Sequence, residues 1–545
     1  MVLGLLAMSL IAAGSRPVVY ARHGMVATSQ PLAVECGLEA LRAGGTAVDA
    51  AIATNACLGV TEPTSCGLGG DLFAIVWEPG KKRPAGLDAS GRAPLALTAE
   101  KVTPTPRGTI PTDAPASWTV PGAADGWFEL HGRFGKLPMA RVLAPAIRHA
   151  EEGFPVSPVI ARYWARGARK NASSPGFREV FMPAPREGQI FKNPALARTL
   201  RLLAERGRDA FYKGPIAAAI VDFSRRNGGF FAAEDFARHR SDWVEPVSTS
   251  YRGHDVWELP PPGQGLSALQ ILNILEPHDL RSLGRASADF WHLLVEAKKL
   301  AYADRARYFA EGVVPVAALL SKEYARRRGL LIDMQRAAAV DPPGDPEQLA
   351  RPETAYLAAA DDRGQMVSLI QSNYTGFGSG HAVPELGFGL QSRGACFALR
   401  AGHRNRLAPG KRPFHTIIPA FLSRAGTPLM AFGVMGGDMQ PQGHVQVLVN
   451  LLDLGMGLQE AGDAARFHHT GSSDPDGTAM SQGGVLHLED AVPAGVADEL
   501  LRRGHRIERT DPAAYGGYQA IWRDPETGVY RGATESRKDG FAAGY

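Results

Sequence analysis

A chain of 545 residues, 45% hydrophobic and 21% charged, has the length for a large core and too much apolar character for a disordered or coiled-coil protein. Basic and acidic side chains nearly cancel, and the formal charge of +4 is scattered, so nothing electrostatic points to nucleic acid. Cys36, Cys57, Cys66 and Cys396 lack CxxC spacing and are too few for a disulfide framework, which argues against a zinc site and against a small staple-held fold.

The opening MVLGLLAMSLIAAG is apolar over about the length of a signal-peptide core, yet no basic residue precedes Arg16. It is too short to span a bilayer, and no other segment has the roughly 18 apolar residues a span requires, so no membrane partner is expected. A cytoplasmic location is the expectation, with export to the periplasm or medium if the segment acts as a signal.

From Gly24 onward, Ser29 is placed to cap a helix entered at Pro31 and ended by Gly44-Gly45. TAVDAAIATNACLGV follows, a helix without a polar face and therefore expected to be buried. LFAIVW (72–77) and MVSLIQS (366–372) read as strands, LSALQILNIL and FWHLLVEAKKLAYADRARYF as helices. The Pro-rich, acidic DPPGDPEQLARPE (341–353) reads as a linker. It leads into a strand beginning at Thr354, joined to 366–372 through Asp362-Arg363-Gly364 as a hairpin.

GxSxG, Walker A and HExxH sequences are absent, as is a GxGxxG between strand and helix. His444, His468 and His469 have no carboxylate at ligand spacing, so packing or hydrogen bonding is expected of them and neither metal nor cofactor is called for. The basic HRNRLAPGKRP (403–413) reads as a solvated loop.

A series of blocks follows in order: LRAGGTAVDAAIA (41–53), CGLGGDLFAIVW (66–77), SGRAP (90–94), EPVSTSYRG (245–253), ELPPPGQG (258–265), EAKKLAYADR (296–305), GKRPFHTIIP (410–419), MGGD (435–438) and the terminal GYQAIWRDPETGVYRGATESRKDG. In order and spacing they are similar to the gamma-glutamyltransferase family of N-terminal nucleophile hydrolases, over roughly residues 24–545. The resemblance implies an α+β fold, a four-layer αββα sandwich. It also implies a proenzyme that cuts itself between Glu353 and Thr354. Residues 24–353 then form a large subunit and 354–545 a small one, the fragments staying together as a heterodimer open to further pairing. Residues 1–23 form an N-terminal extension.

The chemistry fits the residue. A threonine hydroxyl is a poor nucleophile, and the free α-amine created by cleavage, titrating at about pH 7.7–8.0 in model compounds, is a suitable base for it. Thr354 would first attack the Glu353 carbonyl and afterwards a substrate amide, giving an acyl-enzyme. The resemblance assigns the oxyanion donors to the backbone of Gly436-Gly437 and a supporting hydroxyl to Ser372. Such donors are worth ~2.7–4 kcal/mol each. Gly67, Gly69 and Gly70 are expected to serve backbone packing near the site.

The donor pocket departs from the family. The arginine that grips an α-carboxylate is replaced by Ser90, with Arg92 two places on and on the same face if the segment is a strand. The aspartate falls on Cys396, the asparagine on Tyr374, and the serine pair on His415-Thr416; Ala355 and Tyr356 stand where threonine and histidine usually follow the nucleophile. Cys396 is a candidate reactive thiol or a buried inert one. Losing two charged hydrogen bonds would weaken γ-glutamyl recognition by about a hundredfold or more. The leading reading is a self-processing hydrolase of an oxamate-type or other acyl amide. A glutathione hydrolase or transferase with Arg92 in the carboxylate role is the second, and a non-catalytic binding homologue the third.

Overall fold

The computed structural model describes residues 16–340 and 353–545, with 353 and 354 described through their backbone alone. The apolar opening segment and nearly all of the 341–353 linker lie outside the described residues.

Alternating apolar strands build two antiparallel sheets. The first runs, edge to edge, Val19–Ala21, Tyr530–Thr534, Gly517–Arg523, Thr427–Met435, Ala420–Arg424, His254–Glu258 and Val247–Tyr251. The second runs Phe541–Gly544, Met25–Thr28, Glu353–Ala360, Met366–Tyr374, Asp71–Trp77, Ala85–Ala89 and Asp242–Val244. Between their inner faces lies one hydrophobic layer that includes Phe73, Trp77, Trp257, Tyr356, Ile370, Phe421 and Ile521. There Trp77 meets Trp257 edge-on at 5.7 Å, an arrangement worth about 0.5–1.5 kcal/mol beyond burial.

Helices cover both outer faces. Ala47–Thr61, buried at nearly every position as its composition predicts, lies between the second sheet and the helices Pro31–Arg42, Ala123–Phe134 and Met139–Glu152. Gly265–Leu275, Ala288–Tyr308 and Met439–Leu448 cover the first sheet. The result is the four-layer αββα sandwich. No helix among the described residues is long and apolar enough to cross a membrane.

Four local expectations change. The cap residue of Pro31–Arg42 is Gln30, and the Ser29 hydroxyl donates instead to the Glu62 carboxylate at 2.5 Å, because the chain end of the next helix brings a buried acceptor to it. Arg412 of the basic stretch is buried, bonding Asp242 and the carbonyls of Arg240 and Ser90, and so stitches three segments together. Cys36 and Cys57, too sparse to suggest a framework, form a disulfide joining the first two helices. The hairpin strand starts at Glu353, so the last linker residue is part of the ladder.

Candidate active site

The two central strands of the second sheet set up the site. Residues 355–360 pair in regular antiparallel register with 371–366, but the next pair is Glu353 with Tyr374, so the ladder slips at Thr354. The irregularity leaves Thr354 opposite the Ser372-Asn373 step, and strand bulges of this kind re-aim residues beside active sites. On its other side Ser372 pairs with Asp71, the first residue of the neighbouring strand. Gly70 permits this contact: a Cβ there would come within 2.5 Å of the Ser372 carbonyl oxygen.

Ser372 is fully buried, and its Oγ accepts the Tyr374 N–H at 2.8 Å. That bond holds Tyr374 at φ 78°, a left-handed conformation costly for a bulky residue. The Tyr374 ring packs under the Arg393 guanidinium at 4.5 Å. Arg393 donates from Nη1 to Thr416 Oγ1 at 2.7 Å and reaches Cys396 Sγ at 3.9 Å. Tyr374, Cys396 and Thr416 therefore converge on one arginine. Burial pushes the Cys396 thiol up to about 11, the signature of an inert thiol at neutral pH.

His415 faces Asp71, both fully buried, with Nε2 at 3.0 Å from Oδ2. Its Nδ1 accepts the Ile417 N–H at 3.4 Å, so Nε2 carries the proton and donates to the carboxylate. Burial and then Arg393 hold this imidazole well below its ordinary value, in the neutral form. Asp71 Oδ1 also accepts from the Gly91 N–H at 2.8 Å and Gln391 Nε2 at 2.9 Å. Burial nevertheless raises the Asp71 carboxyl from 3.8 to about 6, Arg393 offsetting part of that rise. The folded protein thus holds this proton more tightly than the unfolded chain. The stabilisation is complete below the unfolded value of 3.8 and is lost as pH rises through about 6. Between those values, the unfolding free energy of the wild type should fall relative to Asp71→Asn in denaturant titrations; curves with equal slopes would refute the shift.

The remaining positions are placed differently. Ser90 is buried in a turn, its hydroxyl donating to Asp88 at 2.6 Å, while the adjacent Gly91 supplies the bond to Asp71. Arg92 does not join the cluster: its guanidinium pairs with Glu311 at 2.5 Å and Asp242 at 3.6 Å. The carboxylate role expected of it is unsupported, because long-range acids compete for it. Ala355 is buried, and Tyr356 points between the sheets with its hydroxyl 2.9 Å from Ser368 Oγ.

Gly436 and Gly437 end the Thr427–Met435 strand and open the helix Met439–Leu448. Their φ values, 124° and 63°, suit glycine. The N-terminus of this helix adds partial positive charge beside the glycine turn. Gly436 lines a cavity of about 290 Å³ shared with Thr375, Asp438, His468 and Lys538. Gln264 ties this turn to the pocket, Nε2 donating to the Gly437 carbonyl at 2.8 Å and to the Thr416 carbonyl at 2.7 Å. Its Oε1 accepts from Arg305, which pairs with Asp474 at 2.8 Å.

Asp71, Gln264, Gln391 and Arg393 are the members that reading the motifs missed. Asp71 and Gln264 sit inside motif blocks, whereas Gln391 and Arg393 lie outside them, where the signal available was a lone cation in the apolar run LGFGLQSRGACFAL. His444 and His469 serve hydrogen bonding, His444 with Glu258 at 2.7 Å and His469 with Lys298 at 3.1 Å, whereas the His468 ring makes no hydrogen bond among the described residues, standing 3.4 Å from Asp438 and packing against His487.

A strand hairpin opening an inner sheet of an αββα sandwich, with hydroxyl and glycine-turn groups gathered at its start, is the frame of the N-terminal nucleophile amide hydrolases. A family model described as gamma-glutamyltranspeptidase matches residues 33–545, and the chain belongs to that family as an amide hydrolase. It is 35% identical over 532 residues to a glutathione hydrolase-like proenzyme of Bacillus subtilis, covering 95% of this chain and 98% of that one. To an oxamate amidohydrolase proenzyme of Klebsiella pneumoniae it is 36% identical over 547 residues, covering 96% and 98%. The crystal structure of a cephalosporin acylase from Bacillus halodurans matches with a TM-score of 0.90 at 44% identity, covering 100% of this chain and 99% of that one.

Proposed function

We propose that this chain is a self-processing hydrolase of a non-γ-glutamyl acyl amide, acting through Thr354. The observation that carries the reading is the break in the strand ladder at Thr354, opposite the Ser372-Asn373 step. In the first step the Thr354 hydroxyl adds to the Glu353 carbonyl carbon; the C–N bond breaks as nitrogen takes the proton, and water hydrolyses the resulting ester. The Thr354 amine released then accepts the hydroxyl proton during attack on a substrate amide. The substrate's amine half leaves with a proton, and a second water resolves the acyl-enzyme. Gly436-Gly437 N–H groups stabilise the oxyanion, and Ser372 orients the nucleophile.

The pocket favours the oxamate and acylase direction over γ-glutamyl compounds. Arg92 is committed to Glu311 and Asp242, and Ser90 to Asp88, so the α-carboxylate grip has no replacement there. The Cys36–Cys57 disulfide supports the exported alternative over the cytoplasmic one, since thiols stay reduced in most cytoplasms. The two products, 24–353 and 354–545, remain associated in this reading because the strand 353–360 lies between Met25–Thr28 and Met366–Tyr374.

Mass spectrometry of the purified protein should find a new N-terminus at Thr354 and a fragment of 545 − 353 = 192 residues. A full-length band that persists through long incubation would sink the proposal.

A further inference from the structure

His468 stands in the interior with its hydrogen-bonding capacity unmet. In the strand Phe467–Thr470, paired in register with Val485–Leu488, side chains alternate between two faces. Phe467 enters the hydrophobic core and His469 bonds Lys298, whereas His468 reaches the wall of the cavity of about 290 Å³ that Gly436 also lines. The His468 side chain is 6% exposed, and neither ring nitrogen has a hydrogen-bond partner among the described residues. Its neighbours do not supply one. His487, packed against the ring, is engaged by the Glu508 carbonyl and the Thr470 hydroxyl, and Asp438 lies 3.4 Å from Nε2 without the alignment of a hydrogen bond.

An imidazole always carries at least one N–H, and burying that donor unmet is unfavourable, so folds keep one where a ligand completes it. The cavity is where such a ligand enters. Its other walls belong to the reaction: Gly436 opens the glycine turn, and Thr375 follows Tyr374, the strand partner of Glu353. A substrate amide lying against that turn therefore brings its amine half to the wall that holds His468. The chemistry of the wall singles out this side chain. Lys538 donates to the Tyr163 hydroxyl at 2.7 Å, and a guanidinium such as that of Arg166 does not give up a proton in a protein. Imidazole is the side chain that both gives and takes protons near neutral pH.

We propose that His468 is the acid that protonates the leaving nitrogen of the substrate amide. This rests on Thr354 acting as the nucleophile. As the Thr354 hydroxyl proton passes to the α-amine, the His468 imidazolium gives its proton to the amide nitrogen, and the C–N bond breaks with release of a neutral amine. The water that resolves the acyl-enzyme returns a proton to the imidazole, while the α-ammonium returns its own to the threonine oxygen. One amide and one water thus yield one acid and one amine, with both groups restored.

The test compares processed wild type with His468→Gln on oxalyl and glutaryl amides of two amines, p-nitroaniline and ethylamine. Nitroaniline leaves without prior protonation; ethylamine does not. On the ethylamides His468→Gln should lower kcat/KM by about 10²–10⁴-fold, the contribution of general acid catalysis, and on the nitroanilides by less than about tenfold. Imidazole added to His468→Ala should restore part of the ethylamide rate and leave the nitroanilide rate nearly as it was. An equal loss on both leaving groups, no loss on the ethylamides, or a wild type that turns over the nitroanilides alone overturns the assignment while leaving Thr354 chemistry intact. A wild type that never exposes Thr354, or that exposes it and hydrolyses none of the amides, defeats the hydrolase reading and this proposal with it. If His468→Gln does not fold, His468→Asn and the imidazole rescue of His468→Ala decide.

Discussion

Thr354→Ala is expected to remain one full-length chain and to lose amide turnover by roughly 10⁴-fold or more. Both effects have one cause. The alanine has no oxygen to add to the Glu353 carbonyl, so the α-amine that would serve as base is never released, and no acyl-enzyme can form. Loss of a nucleophile costs a covalent hydrolase about as much as loss of its whole catalytic set, and the rate left over comes from binding and oxyanion donors. Thr354→Ser keeps a hydroxyl and should still split into two fragments. A gel showing fragments from Thr354→Ala, or activity within tenfold of wild type, would remove Thr354 from the mechanism. The variant should melt close to the wild-type precursor, because residue 354 sits at an irregularity of the ladder and no regular strand pair depends on it.

Gly436→Ala is expected to lower kcat by about 10²–10³-fold with KM changed only a few-fold, the pattern of an interaction made in the transition state. The backbone there has φ 124°, and a Cβ would stand 3.1 Å from the Gly516 Cα. The turn must shift to accept it, and the N–H groups shift with it. Self-processing passes through the same kind of tetrahedral oxyanion, so uncut precursor should accumulate in this variant. Turnover is therefore measured on the processed fraction, with a thermal melt to show the fold is retained. An unchanged kcat in a folded, processed variant would place the oxyanion donors elsewhere.

Several features of the site could be read from the chain alone because they depend on local pattern. The alternation in 366–372 and 72–77, the Asp362-Arg363-Gly364 turn and the all-round apolar 47–61 helix each report their own burial. Glycines at 436–437 likewise declare a backbone that side chains resist. The misreadings share a different character. Ser29 met Glu62 in place of a helix N–H, and Arg412 met Asp242 in place of solvent. A hydroxyl or guanidinium takes the strongest acceptor within reach, and that acceptor is supplied by another part of the chain.

The contrast is sharpest for the two arginines. By itself the sequence determined the family blocks and the order of strands and helices, since periodicity and turn chemistry act over a few residues. Tertiary structure alone decided how the two cations are held: Glu311 and Asp242 engage Arg92, while Thr416 and the Tyr374 ring hold Arg393 in the interior. The same holds for Cys36 and Cys57, which are brought together when their two helices pack. The physical reason is that a charge's partner and a side chain's desolvation are set by atoms hundreds of residues distant in sequence, and these become neighbours only when the sheets and helices stack.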